Sequence, residues 1–405
     1  MSFFNKVRNL WTQIRLRGFR GCLAAVWRKT DWLILKVIAP FLRRTPLQNT
    51  IVIESHNDFD CNGGAFYDYL IKNGYNRKYK IVWLLKHPEK QPPKLPDNVE
   101  CYPLYAPSVK KDFRICTAKF LLADNMVTRK QRKEQISIFC SHGAGGFKRV
   151  KSLGSIGDFV DFALIQSEAY APIQAEQCGY TPEKMIYIGY PSHDILNTPD
   201  NSELKKVSEK SYRKVFLWMP TFRKAGGGIR IDSEKEQPLG IPLIETAEDY
   251  EKLNAFLAQN NLLLIIKIHP MQDLDNLKIS DKSNIAVLTG LTVKEKDIDN
   301  YRLMRCTDAL ISDYSGAAYE YLQLDRPICY VLDDMAQYTI GFVVEDIRTL
   351  MAGPEVYSLE DLYSFMTDVM NQRDSYQEKR RCLRDYIYKY HDTHNCERLA
   401  EFMGL

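Results

Sequence analysis

Apolar residues along this chain gather into short, mostly unbroken runs, separated by turns or by stretches with helical spacing. Beyond Pro46 the runs are Ile51–Ile53, Lys80–Leu85, Val99–Tyr102, Phe120–Ala123, Ile136–Cys140, Phe162–Ile165 and Met185–Ile188. A polar segment, Asn197 to Lys214, interrupts the series. It resumes at Val215–Met219, Leu262–Ile266, Ile285–Leu288, Ala309–Ile311 and Ile328–Val331. Runs that are continuous rather than alternating mark strands covered on both faces, as in parallel sheets. Helical spacing over Gly63–Asn73, Glu248–Gln259 and Val293–Arg305 supplies crossovers, and Leu359–Phe402 reads as mostly helical. The pattern predicts an α/β protein with two doubly wound domains, 47–205 and 206–380, and a C-terminal helical segment, 381–405. Ligands of such sheets bind beyond the carboxyl ends of the strands, so a cleft between the two domains is the expected site.

The first 46 residues follow a different pattern. Apolar residues, including Phe4, Trp11, Trp27 and Trp32, are interrupted throughout by Lys and Arg. Residues 1–50 hold ten Lys/Arg and a single acid, Asp31, a net +9 against +4 for the whole chain. No uncharged run reaches the ~18 residues that span a bilayer, and no signal-peptide pattern is present. The segment 1–46 is predicted to be a basic amphipathic arm that rests on an anionic membrane surface through residues 1–44. The competing reading is a pair of helices packed on the chain's own core with a solvated basic face. The arm's apolar content argues against nucleic acid as partner.

Composition adds bounds. A chain of 405 residues with 45% apolar content builds two or three domains with full cores. Its ten cysteines form no C-x-x-C pair and no zinc spacing. Several, such as Cys140 and Cys329, lie in apolar runs and read as reduced core thiols, which fits a cytosolic setting.

Polar residues concentrate at the ends of the runs. After Ile136–Cys140 comes SHGAGGFK, with His142 as a candidate proton acceptor, Gly143 beside it, and Lys148 adding charge. After Met185–Ile188 comes GYPSHD, holding His193 and Asp194; Asp194 can also cap the next helix. After Val215–Met219 comes PTFR, whose Arg223 suits bidentate phosphate binding. His269 follows Leu262–Ile266 in KIHP. Ala309–Ile311 leads into Ser312, Asp313, Tyr314, Ser315 and Gly316, and then into a helix. A helix N-terminus there favours phosphate, and Glu320 one turn on suits ribose hydroxyls. Each feature also has a plain structural reading: a buried hydrogen-bonded His, a flexible turn, an ordinary βα unit. Their convergence on one cleft carries more than any of them alone.

In this order, HGAGGFK (142–148), GYPSHD (189–194), MPTFR (219–223), KIHP (267–270) and ISDYSGAAYEYLQLDRPI (311–328) resemble the CDP-glycerol glycerophosphotransferase family, the teichoic-acid primases and polymerases. The segment IVIESHNDFDCNGGAFYDYLIKN (51–73) is similar too, so the likeness spans roughly residues 47–390. The resemblance implies a GT-B fold of two Rossmann-like domains. It implies transfer of an alditol phosphate from a CDP-alditol, with CMP leaving, to a polyprenyl-diphosphate-linked saccharide or a growing polymer at the cytoplasmic membrane face. It further implies His142 as catalytic base, and His269, Arg223, Ser312, Asp313, Ser315 and Gly316 around the donor diphosphate. Glu320 then lies near the ribose, with Gly143, Lys148, His193 and Asp194 on the acceptor side.

Two departures stand out. Thr-Pro-Leu-Lys usually follows the family's HG, where this chain has Ala-Gly-Gly-Phe-Lys, and Ser192-His193 replaces the usual Arg-Asn after Gly-Tyr-Pro. The length is nearer the single-unit, primase-like members. No D-x-D motif stands at a strand end, so no metal and no cofactor is assigned. Two other readings are a GT-B glycosyltransferase using a nucleotide sugar and a non-catalytic scaffold for envelope-polymer assembly.

Overall fold

The computed structural model describes residues 30, 33–125, 127–143, 145–149, 156–226 and 230–405. Most of the arm expected over 1–46 lies outside these residues. Its described part is a helix over 33–42, which buries Ala39 and leaves Leu33, Val37 and Phe41 exposed.

The apolar runs form two parallel sheets. The first holds β1 (Gln48–Glu54), β2 (Lys80–Leu85), β3 (Val99–Pro103), β4 (Ala118–Ala123), β5 (Ile136–Phe139), β6 (Phe162–Leu164) and β7 (Met185–Ile186) in the order β3-β2-β1-β4-β5-β6-β7. The second holds β8 (Lys214–Trp218), β9 (Leu262–Lys267), β10 (Ile285–Leu288), β11 (Ala309–Ser312), β12 (Ile328–Val331) and β13 (Glu355–Val356) in the order β10-β9-β8-β11-β12-β13. Every paired strand runs parallel to its neighbour, for example Val52 beside Val82 and Leu121, and Leu217 beside Ile265 and Leu310. These central strands bury both faces, which is why their sequences do not alternate. In each sheet the chain order reverses beside the first strand, between β1 and β4 and between β8 and β11. The crevice at such a reversal is where doubly wound sheets bind ligands. This is a GT-B-like arrangement of two Rossmann-like domains.

Two boundaries differ from the sequence expectation. The helix predicted over Val293–Arg305 is two helices, Gly290–Glu295 and Asn300–Arg305. Asp297 takes a left-handed φ of 48°, and the Asp299 carboxylate caps the second helix by accepting from the Arg302 N–H at 2.8 Å. The C-terminal region is three helices, Leu359–Met370, Gln377–Ile387 and Asn395–Phe402. The middle one begins before residue 381. The last does not stand apart, because it packs on the first domain against the helices Cys61–Lys72 and Pro191–Asn197. Asp194 fastens it there, accepting from the N–H groups of Asn395 (2.9 Å) and Cys396 (2.8 Å).

Candidate functional site

The two reversal points face each other across the domain boundary. The β5 end contributes the turn Ser141-His142-Gly143, in which Ser141 takes φ 59° and so swings the next residue out of the strand line. His142 Nδ1 lies 3.0 Å from the Asp124 carbonyl at the end of β4. A carbonyl only accepts, so Nδ1 carries the proton and Nε2 keeps its lone pair. The ring is open to solvent in the cleft but enclosed by protein on most sides. Desolvation, and then Lys86, therefore lower its pKa against the pull of Asp124, Asp60 and Glu320. A neutral imidazole with a free Nε2 is the form a general base requires.

His269, after β9, holds the opposite tautomer. Its Nδ1 accepts from the Met271 N–H at 3.1 Å, which leaves Nε2–H as a donor. Its pKa falls to about 4, chiefly from desolvation, then from Lys148 and Lys267. Its ring packs 4.9 Å from that of Phe222. Lys148 also has its pKa lowered by desolvation, with Asp313 and Asp232 pulling it up and Arg230 and Arg223 pushing it down.

The glycine-rich turn of the first domain meets the β11 loop of the second directly. A Cβ on Gly316 would collide with the Gly145 carbonyl, and one on Gly146 would lie 3.2 Å from the Gly316 nitrogen. Backbone therefore packs on backbone at this contact, which only glycine permits. Gly316 also opens the helix Ala317–Leu322, whose first N–H reaches Ser315 Oγ at 3.3 Å. Ser312 is fully buried, and its hydroxyl has no partner among the described residues.

Five other residues expected at the ligand, Arg223, Asp313, His193, Asp194 and Glu320, are engaged with protein partners. Arg223 is 1% exposed, and its guanidinium spends its donors internally. It bonds Asp334 through Nε (2.6 Å) and a terminal nitrogen (3.1 Å), and Asp313 (2.8 Å) and the Thr221 carbonyl (2.8 Å) through the other. Asp313 in turn accepts from the Thr221 N–H and hydroxyl. Arg223 is therefore a brace that fixes the β8 and β11 loops. His193 is buried and pairs through Nε2 with the Glu320 carboxylate across the domain boundary. Glu320, 5% exposed, thus has one oxygen engaged, and the other lies against Gly143. Asp194 is committed to the C-terminal helix.

The match to known proteins follows this geometry. Residues 38–404 match the family described as CDP-Glycerol:Poly(glycerophosphate) glycerophosphotransferase. The chain belongs to this family. Its curated relatives within the family include the teichoic acid ribitol-phosphate polymerase TarL of Staphylococcus aureus, 24% identical over 87% of this chain and 62% of that protein. The related S. aureus polymerase TarK is 24% identical, over 86% of this chain and 66% of its own length. The chain thus spans just under two thirds of both polymerases. The teichoic acid glycerol-phosphate primase of Bacillus subtilis is 22% identical over 91% of this chain and 95% of that protein. A solved structure of the wall teichoic acid polymerase TagF superposes with a TM-score of 0.71 at 18% identity, covering 94% of this chain and 96% of that one.

This family member carries a cleft residue that sequence reasoning passed over. His56, in the loop after β1, stacks on His142 with ring centres 4.8 Å apart and planes 10° from parallel. Its Nδ1 is buried with no partner among the described residues. Desolvation, then His142, lower its pKa to about 4. The signal was present: His56 stands just past a strand end, like His142 and His269. Asn62 is a second omission. Its side chain donates to the Cys140 (2.9 Å) and Ser141 (2.8 Å) carbonyls and so fixes the turn that presents His142. Among the described residues no group of three or more His, Cys, Asp or Glu side chains is arranged to hold a metal.

Proposed function

We propose that this protein transfers an alditol phosphate, glycerol phosphate in the first instance, from a CDP-alditol to a hydroxyl of a membrane-linked acceptor. CMP is released, and the product is a teichoic-acid-like or capsular surface polymer. The observation that carries the reading is the His142 tautomer. Its bond to Asp124 leaves Nε2 free at the mouth of a cleft between two nucleotide-type reversal points, in a chain of this family.

In the reaction, His142 Nε2 takes the proton of the acceptor hydroxyl as its oxygen attacks the β-phosphorus in line. The bond from that phosphorus to the CMP oxygen breaks, and CMP leaves with the electron pair. Phosphoryl transfer of this kind depends on positioning and charge neutralisation. The Nε2–H of His269 and the ammonium of Lys148 are the donors suited to the diphosphate, since Arg223 is already neutralised by Asp313 and Asp334.

Association with the cytoplasmic membrane face is part of the proposal. Leu33, Val37 and Phe41 form an exposed stripe at four-residue spacing, with Lys36, Arg43 and Arg44 nearby. Among the described residues no helix is long and apolar enough to cross a membrane.

The test is CMP release from CDP-glycerol and CDP-ribitol with a lipid-linked acceptor. His142→Ala is expected to lose ~10²–10⁴-fold in rate while keeping donor affinity. A loss of only a few fold removes His142 as the base, and UDP release from a UDP-sugar moves the protein to the glycosyltransferases.

A further inference from the structure

We propose that the interdomain cavity walled by the β1 loop and Lys267 binds a phosphate group of a polyol-phosphate acceptor; this rests on the transferase reading above. The cavity measures about 850 Å³ and lies between residues 57–61 of the first domain and the β9 end and residues 297–302 of the second. That volume suits a short run of alditol phosphate units.

Lys267 is the last residue of β9 and is 8% exposed. Among the described residues it has no hydrogen bond or ion pair, although it lines the cavity. Neighbouring cations of the same wall are engaged: Lys206 with Glu203, Lys294 with Glu89, Arg302 with Asp200, and Lys90 with the Asn57 carbonyl. Desolvation lowers the Lys267 pKa to about 8; its one opposing neighbour is Cys61, whose thiol burial keeps neutral and so without a counter-charge. A buried cation without a counter-charge is destabilising, and an anionic ligand supplies the missing charge. A second group on the same wall is unsatisfied as well. The Asn300 side-chain oxygen is buried and lacks a donor among the described residues. An unpaired cation together with an unpaired acceptor matches a ligand that carries both a phosphate and hydroxyls.

The β1-loop wall of the cavity is built with care. The β1 loop holds three non-glycine residues at positive φ, namely Asp58 (65°), Phe59 (54°) and Cys61 (52°). Its shape is imposed by carboxylates. Asp58 accepts from the Lys86 and His87 N–H groups, and Asp60 from Ser55 and Asn57. Backbone held in this region persists only where its surroundings dictate it, and such positions cluster at ligand sites. Asn62, next in the chain, bonds the Cys140 and Ser141 carbonyls, and the Asp60 charge acts on both His56 and His142. The loop that walls Lys267 is thereby tied to the turn that presents the base.

The experiment is a calorimetric titration of the full chain with sn-glycerol 3-phosphate, glycerol and inorganic phosphate, each with and without saturating CDP-glycerol. The unaltered protein is expected to bind glycerol 3-phosphate with the donor present, and more tightly than glycerol. Lys267→Met is expected to weaken that binding by about 10-fold or more, and Lys267→Arg by less, as befits a charged hydrogen bond. The thermal midpoint of Lys267→Met should be no lower than that of the unaltered protein, because a buried unpaired charge has been removed. Absence of saturable glycerol 3-phosphate binding overturns the proposal, as do parental affinity in Lys267→Met and displacement by CDP-glycerol. Failure of the unaltered protein to bind CDP-glycerol instead counts against the transferase reading, and the glycerol 3-phosphate arm remains readable without the donor.

Discussion

Replacing Arg223 separates a structural role from a ligand role. In Arg223→Ala the Asp313 and Asp334 carboxylates, each fully buried, lose three charge-assisted bonds of 2.6–3.1 Å from the guanidinium. Leaving buried charges uncompensated costs about 3–5 kcal/mol. In a domain of this size each kcal/mol shifts the melting temperature by roughly 2–4 °C, so the second domain should melt ~6–20 °C earlier. Trp83 sits in the first sheet and Trp218 in the second, so single-tryptophan backgrounds report the two domains separately by fluorescence. Such a chain need not unfold in one step, which makes the domain-resolved signal necessary. Arg223→Lys, which keeps the charge but not the fork, should lie between the two. The triple change Arg223→Met, Asp313→Asn, Asp334→Asn should recover part of the loss, since no charge is stranded. The reasoning is refuted if Arg223→Ala melts within about 1 kcal/mol of the parent, measured against the same scale, while CDP-alditol affinity collapses.

Three further outcomes are expected. Gly316→Val should drive the β11 loop off the Gly145 carbonyl, lowering turnover with little change in the melting of either separate domain; unchanged turnover would show the contact is dispensable. His56 and His269 both have pKa values lowered to about 4, so folded and unfolded states are equally neutral above pH 6.5. Below that the unfolded chain takes up protons the folded chain refuses, and stability should fall between pH 6.5 and about 4. A His56→Asn, His269→Asn double variant should flatten this slope in thermal melts; an identical slope assigns it elsewhere. Asp194→Ala should loosen the Asn395–Phe402 helix, seen as faster amide exchange there, with CDP-alditol affinity retained; parental protection would discount the cap.

The fold was legible because burial on both faces writes each central strand as an unbroken apolar run. The exceptions are informative. β13 is two residues long and leaves no run to read. The break at Asp297–Asp299 depends on a cap and a positive φ, not on apolar spacing. The site was half legible. Position beyond a strand end places a residue at the crevice side of its sheet, but it does not reveal what the side chain already holds. Arg223 finds Asp334 across 111 residues and His193 finds Glu320 across 127, and no local pattern reports such partners. Lys267 went unnoticed for the converse reason: a Lys closing an apolar strand looks ordinary until its lack of a partner is seen.

The Asp194 clasp has a bearing on biosynthesis. Asn395 follows Asp194 by 201 residues. At roughly 5–20 residues per second on the ribosome, about 10–40 s pass between the appearance of the acceptor and that of the helix it anchors. Throughout that interval the emerging first domain leaves bare the surface that Cys396 and Leu399 later cover. The nascent chain thus offers a sticky half-finished face to chaperones, and maturation of the N-terminal half waits on a segment translated 201 residues later.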